Sequence, residues 1–216
     1  MNHHDDSSAI ELNDCGLSSL LHHNYEEATC LFRDALYMIK QDIAHQHQQL
    51  PHMEEQAGNL QDESIVDLEF YEPCDFKDHM ICKTAISIKR AAMMGSHKIT
   101  SVVIYNLAIT THLWALQNGS IEKLKKALHL YKISSQTQGV HESSVAMSIL
   151  NNTASIHFIL GNRKEAIEIL RQLWAVMTYC GKPESTSKNH YEKSWQVCQR
   201  NVVTLLMAPP STACAA

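Results

Sequence analysis

Glycine and proline are scarce, at 7 and 5 of 216 residues, about half their usual share. An all-β barrel or sandwich needs a turn every 8–12 residues or so and is not built with so few turn formers. Aromatic residues make up only 6% against 44% hydrophobic overall, so the core must come from Ala, Leu, Ile, Val and Met. Positive charge is nearly absent from residues 1–80, which hold 3 Lys/Arg against 17 Asp/Glu, whereas residues 81–216 hold 15 against 6. Either the halves attract each other, or the basic half meets an acidic partner, or both are simply solvated faces. The seven cysteines (Cys15, Cys30, Cys74, Cys82, Cys180, Cys198, Cys214) include no Cys-x-x-Cys pair. The start, Met1 to Asp6, has neither a basic nor an apolar leader segment. These features predict a soluble intracellular chain, cytoplasmic or nuclear, whose reduced cysteines mostly act as small buried hydrophobes. The apolar stretch Val102–Leu116 is broken by Asn106, Thr110, Thr111 and His112, so no membrane contact is expected.

Motifs of catalysis are missing as well. There is no Gly-x-Ser-x-Gly, no glycine-rich phosphate loop and no His-Glu-x-x-His. The acidic groups Glu54-Glu55 and Asp62-Glu63 fall in apparent loop. The expectation is a non-enzyme without a cofactor. Histidine is frequent, at 14 residues, and His22-His23 and His45, His47 and His52 invite a metal reading. Zinc wants four converging ligands, however, and His45 and His47 would point to nearly opposite sides of a helix. Solvated helix ends and loop residues account for them, and no metal site is expected.

What is present is helical periodicity. Ser8-Ala9-Ile10-Glu11, Asn24-Tyr25-Glu26-Glu27 and Asn162-Arg163-Lys164-Glu165 read as capping boxes, and Ser120 as a further cap. The second box opens a stripe of Ala28, Leu31, Phe32, Ala35, Leu36 and Ile39 on one helix face. Closely joined helices form hairpins that cannot bury their stripes alone. The predicted organisation is a first helix pair over 8–47, an acidic loop and β-hairpin insertion over 48–95, and a second pair over 96–137. A third pair covers 141–180, a capping helix 186–207, and a disordered tail 208–216. Within the insertion Val66–Phe70 alternates as a strand, and Met80–Ile88 is its expected strand partner or else a helix. The last helix carries Tyr191, Trp195, Cys198, Val202 and Leu205 at steps of 4, 3, 4 and 3, with Trp195 expected to be mostly buried.

The hairpins resemble tetratricopeptide repeats, in which a small residue on helix A and an alanine on helix B let the two helices approach. Gly16 and Ala28 are 12 residues apart, as are Ala154 and Ala166, whereas Ala108 and Ala127 are separated by 19. Leu12, Tyr25, Phe32, Leu150, Ile104, Tyr105 and Tyr131 supply large positions of the pattern, while the family's tryptophan and terminal proline are missing. The resemblance implies an all-α fold, a right-handed antiparallel helix-hairpin solenoid. It also implies a protein–protein interaction scaffold that binds a peptide or partner helix in the concave groove of its A helices. Asn106 and Asn152 match the asparagine with which such repeats bond a peptide backbone, and Asp14 stands there in the first copy. Tyr105, Ile109, His112, Ser148, Asn151 and Ser155 should share that wall. An alternative is that Asn106 and Asn152 merely tie neighbouring helices together. A second functional class, an RNA-binding helical repeat, would use Lys123, Lys125, Lys126, Lys132, Arg163, Lys164 and Arg171 for phosphates. The acidic loop, residues 48–79, is a candidate cover for the groove.

Overall fold

The computed structural model describes residues 5–49, 81–83, 85–88, 96–137, 143–182 and 190–207. These residues form seven α-helices and no strand. The chain divides into two compact units, Met1–Tyr71 with Ala85–Gly139, and Glu72–Thr84 with Val140–Ala216.

In the first unit α1 (Asp5–Leu21) packs on α2 (Tyr25–Gln49), α3 (Ser96–Asn118) packs on α4 (Ile121–Gln136), and α2 also packs on α3. The α2 stripe of Ala28, Phe32, Ala35 and Ile39 is buried. Gly16 of α1 permits the close approach, since a Cβ there would meet the Phe32 ring at 2.8 Å. Between α1 and α2 the chain reverses through His23 at positive φ. The Asn24 Nδ2 group donates to Glu27 Oε2 at 2.7 Å, while the Glu27 N–H reaches Asn24 Oδ1 at 3.5 Å. Ser120 caps α4 by accepting from the Lys123 N–H at 3.3 Å, directly after Gly119 at φ 62°. From α4, Leu124, Ala127, Tyr131 and Ser134 are buried.

The second unit contains α5 (Ser143–Ile159), α6 (Arg163–Cys180) and α7 (His190–Met207). Helices α5 and α6 pair across a turn at Gly161, φ 77°. Helix α7 packs against both. Ala166, Leu170, Leu173 and Met177 line the buried face of α6. Together with Met147, Ala154, Cys198, Val202 and Cys82 they form one core.

Several sequence expectations need correction. Helix α1 begins at Asp5, so Ser8 lies inside it and caps nothing. Asn162 makes no side-chain capping bond; its amide lies against His157 Nδ1 at 3.4 Å instead. Trp195, by contrast, is largely covered and packs against the core as expected, beside the fully buried Ser194, Cys198, Asn201 and Val202 of the same helix. The β-hairpin finds no support: residues 81–83 and 85–88 carry no strand ladder. The predicted strand 66–70, the acidic loop from residue 50 onwards and the tail 208–216 lie outside the described residues. Residues Ile81, Cys82, Ala85, Ile86 and Ile88 are all buried, a pattern denser than the alternation of a half-exposed strand. Within α3, the stretch Ile99–Asn118 is long and apolar enough to cross a membrane, but 72% of its apolar window is buried inside the structure, as in a core helix.

Candidate functional site

A primary amide carries a donor and an acceptor side by side, so one asparagine can satisfy both the N–H and the C=O of a single extended residue. The two-bond exchange is that of a hydrogen-bonded pair in an antiparallel sheet. Both units contain such a clamp. In the first unit Asn106 of α3 accepts from the Ile86 N–H at 2.9 Å and donates to the Ile86 carbonyl at 2.8 Å. In the second, Asn152 of α5 accepts from the Cys82 N–H at 2.8 Å and donates to the Cys82 carbonyl at 2.9 Å. Both asparagines are fully buried. A buried amide without partners costs about 1–3 kcal/mol, so each clamp and its occupant stabilise one another.

The first clamp is doubled. Asn13 of α1 accepts from Asn106 Nδ2 at 2.9 Å and donates to the Ile86 carbonyl at 3.3 Å. Next along the chain, the Ser87 hydroxyl donates to Asp14 at 3.1 Å. The second clamp is braced from behind: Asn201 of α7 donates to Asn151 Oδ1 at 2.6 Å, and Asn151 donates to Asn152 Oδ1 at 3.2 Å. Cys82 also touches α7, its Sγ lying 3.7 Å from that of Cys198 and 3.9 Å from the Ser194 carbonyl. The hydrogen bond with Cys82, and after it burial, hold the Cys198 thiol far above the ordinary cysteine range.

The expected wall residues are therefore not one open surface. Tyr105, Asn106, Ile109, His112, Ser148, Asn151, Asn152 and Ser155 are all buried. Tyr105 and His112 face α4, where both rings pack against Tyr131 at centroid distances of 6.3 and 6.1 Å. Asn151 turns to α7. Asn106 also joins α3 to α1 through Asn13, which is the helix-tying role weighed against peptide binding. Asn13 and Asn201 were missed by the sequence reading. The signal for Asn13 was an asparagine one residue before the matched position, and Asn201 had none.

Of the basic residues, Lys125, Lys126, Lys132, Lys164 and Arg171 are exposed on α4 and α6. Lys123 lies over the Trp114 ring at 4.1 Å, and Arg171 pairs with Glu168 at 3.3 Å. Among the described residues no three His, Cys, Asp or Glu side chains gather into a metal-ligating group. No known protein family's sequence model matches the chain, and neither curated proteins nor solved structures give a match.

Proposed function

We propose that this protein is a non-enzymatic binding scaffold of tetratricopeptide-like helix hairpins, in which the A helices of each unit, α1 and α3 in the first and α5 in the second, hold a non-helical chain residue by its backbone. The observation that carries the reading is that Asn106 and Asn152 each take both polar backbone groups of one residue. Backbone recognition of this kind is indifferent to sequence, so specificity falls to the pockets around the alternate side chains. The occupants here, Cys82 and Ile86 among Ile81, Ala85 and Ile88, favour a partner segment with small and aliphatic residues. The chain occupies its own clamps, and an incoming segment has to displace it. The repeat reading is supported by the hairpin pairing and by the packing of α2 on α3.

The test empties the clamps. Residues 81–88 are replaced by a Gly/Ser stretch of equal length, and a labelled peptide with the sequence of residues 79–90 is titrated in by fluorescence anisotropy. Saturable binding is expected, together with its loss on adding Asn106→Ala and Asn152→Ala. A variant that stays helical yet binds no peptide overturns the reading. So does a variant that cannot fold even with peptide present, which would make the segment plain core. The RNA-binding alternative draws on the exposed lysines of α4 and α6. It is favoured if RNA binds with a steep salt dependence that Lys125→Ala and Lys126→Ala reduce.

A further inference from the structure

We propose that Cys82 and Cys198 are a redox pair, joined by a reversible disulfide that bonds the extended segment to α7. Their sulfurs lie 3.7 Å apart, in contact, although the residues are 116 positions apart in the chain. Both are buried in the core of the second unit, at 2% and 0% exposure. Each thiol also has a backbone carbonyl in reach, that of Ser194 at 3.9 Å for Cys82 and that of Met147 at 3.8 Å for Cys198. A disulfide has its sulfurs about 2.05 Å apart, so closure is a matter of rotation about the Cα–Cβ bonds and a small backbone shift. Cys198 lies within α7, whereas Cys82 lies on non-helical chain. The Asn152 clamp holds its backbone and thereby aims the thiol at α7. Three other described cysteines, Cys15, Cys30 and Cys180, are exposed or half-buried and free.

The oxidant is a low-molecular-weight disulfide of the glutathione class. One protein thiol loses its proton and attacks a glutathione sulfur, breaking that S–S bond, and the departing thiolate takes up the proton. The second protein thiol then loses its proton and attacks the protein-side sulfur of the mixed disulfide, and a second glutathione leaves as its thiol. Two protein thiols are oxidised and one small disulfide is reduced to two thiols. A reduced dithiol reverses both steps. Because both sulfurs are buried, exchange waits on a local opening of the segment, and the bond once formed is shielded in the same way. Its consequence is a lock: residue 82 cannot leave Asn152. That consequence rests on the displacement reading above, whereas the bond itself does not.

The native full chain is equilibrated with excess oxidised glutathione, its free thiols are blocked, and it is digested without reduction and mapped by mass spectrometry. The expected product is a peptide linking Cys82 to Cys198, two hydrogens lighter than its reduced parts, which dithiothreitol separates. Reaction at exposed Cys15 and Cys30 shows that the oxidant is active. Recovery of Cys82 and Cys198 as blocked thiols in that same sample overturns the proposal. A second variant replaces Cys15, Cys30, Cys74, Cys180 and Cys214 by serine, leaving the pair alone. The link should persist there, and its loss with helicity retained shows shuffling and also overturns the pair. For the lock, amide exchange at residues 81–88 should slow by about tenfold or more on oxidation. Unchanged exchange with the link present overturns the lock. Failure of the labelled peptide to bind alters neither measurement.

Discussion

Ile86 and Cys82 are held by the same chemistry in two differently built surroundings. Around Ile86 the support comes from a second helix: Asn13 of α1 meets both Asn106 and the Ile86 carbonyl. Around Cys82 the support comes from behind, through Asn151 and Asn201 to α7, and from the sulfur of Cys198. The first clamp is thus redundant at the carbonyl it holds, whereas the second depends on one amide there and gains a thiol contact. The paired N–H and C=O of one residue fix what the asparagine must do, and the side chain beside them is free to differ. An aliphatic residue fills one site, and a residue with redox chemistry fills the other.

The largest effects should come from removing the amides themselves. Asn152→Ala leaves the Cys82 N–H and C=O without the amide that pairs with both, and takes one acceptor from Asn151. At about 1–3 kcal/mol for each buried unsatisfied group, a loss of about 3–5 kcal/mol is expected in urea unfolding. Asn106→Ala should cost less, about 2–4 kcal/mol, because Asn13 still donates to the Ile86 carbonyl. The reverse order would mean that Asn13 serves only to hold Asn106.

Much of this was legible beforehand and some could not be. The hairpins follow from stripes such as Ala28, Phe32 and Ala35, and from turns such as Asn118-Gly119, which are local signals. Asp14, Asn106 and Asn152 stand two residues before Gly16, Ala108 and Ala154. All three contact the non-helical residues Ile86, Cys82 and Ser87. The segment itself was not legible as such. Its apolar residues read equally as strand or helix, because its backbone partners are side chains 20 and 70 residues away in sequence.

A next effect sharpens the first clamp alone. Gly16→Ala puts a methyl group 2.8 Å from the Phe32 ring, forcing α1 away from α2. The expected cost is about 1–3 kcal/mol. Since Asn13 moves with α1, the Ile86 amide should exchange faster while the Cys82 amide is unaffected. Equal loss of protection at both amides would break the separation drawn between the two sites.

The thiol contact gives the second clamp a pH dependence. The folded Cys198 thiol is held above its ordinary value of 9.0. Its contribution to stability is therefore complete below about pH 9 and is lost as the pH rises further, because the unfolded chain gives up a proton that the folded chain keeps. Above that point stability should fall by up to about 1.4 kcal/mol per pH unit for this one group. Urea midpoints between pH 8 and pH 10 should show the decline in the wild type. The decline should be shallower in Cys198→Ala, and identical slopes would detach the thiol from the stability of the second unit.

The smallest effect belongs to the outermost contact of the first clamp. The Ser87 hydroxyl donates to Asp14 at 3.1 Å, but both side chains are solvent-accessible and water replaces either partner readily. Asp14→Ala should cost only about 0.5 kcal/mol, at the low end for a hydrogen bond. The urea midpoint should move slightly, and the slope of the transition should stay constant. Amide exchange at Ile86 should be unchanged, because Asn106 still accepts from that N–H while Asn13 and Asn106 still donate to the carbonyl. A faster Ile86 amide would show that the Asp14–Ser87 bond closes the end of the segment, and that the redundancy assigned to Asn13 depends on its charged neighbour.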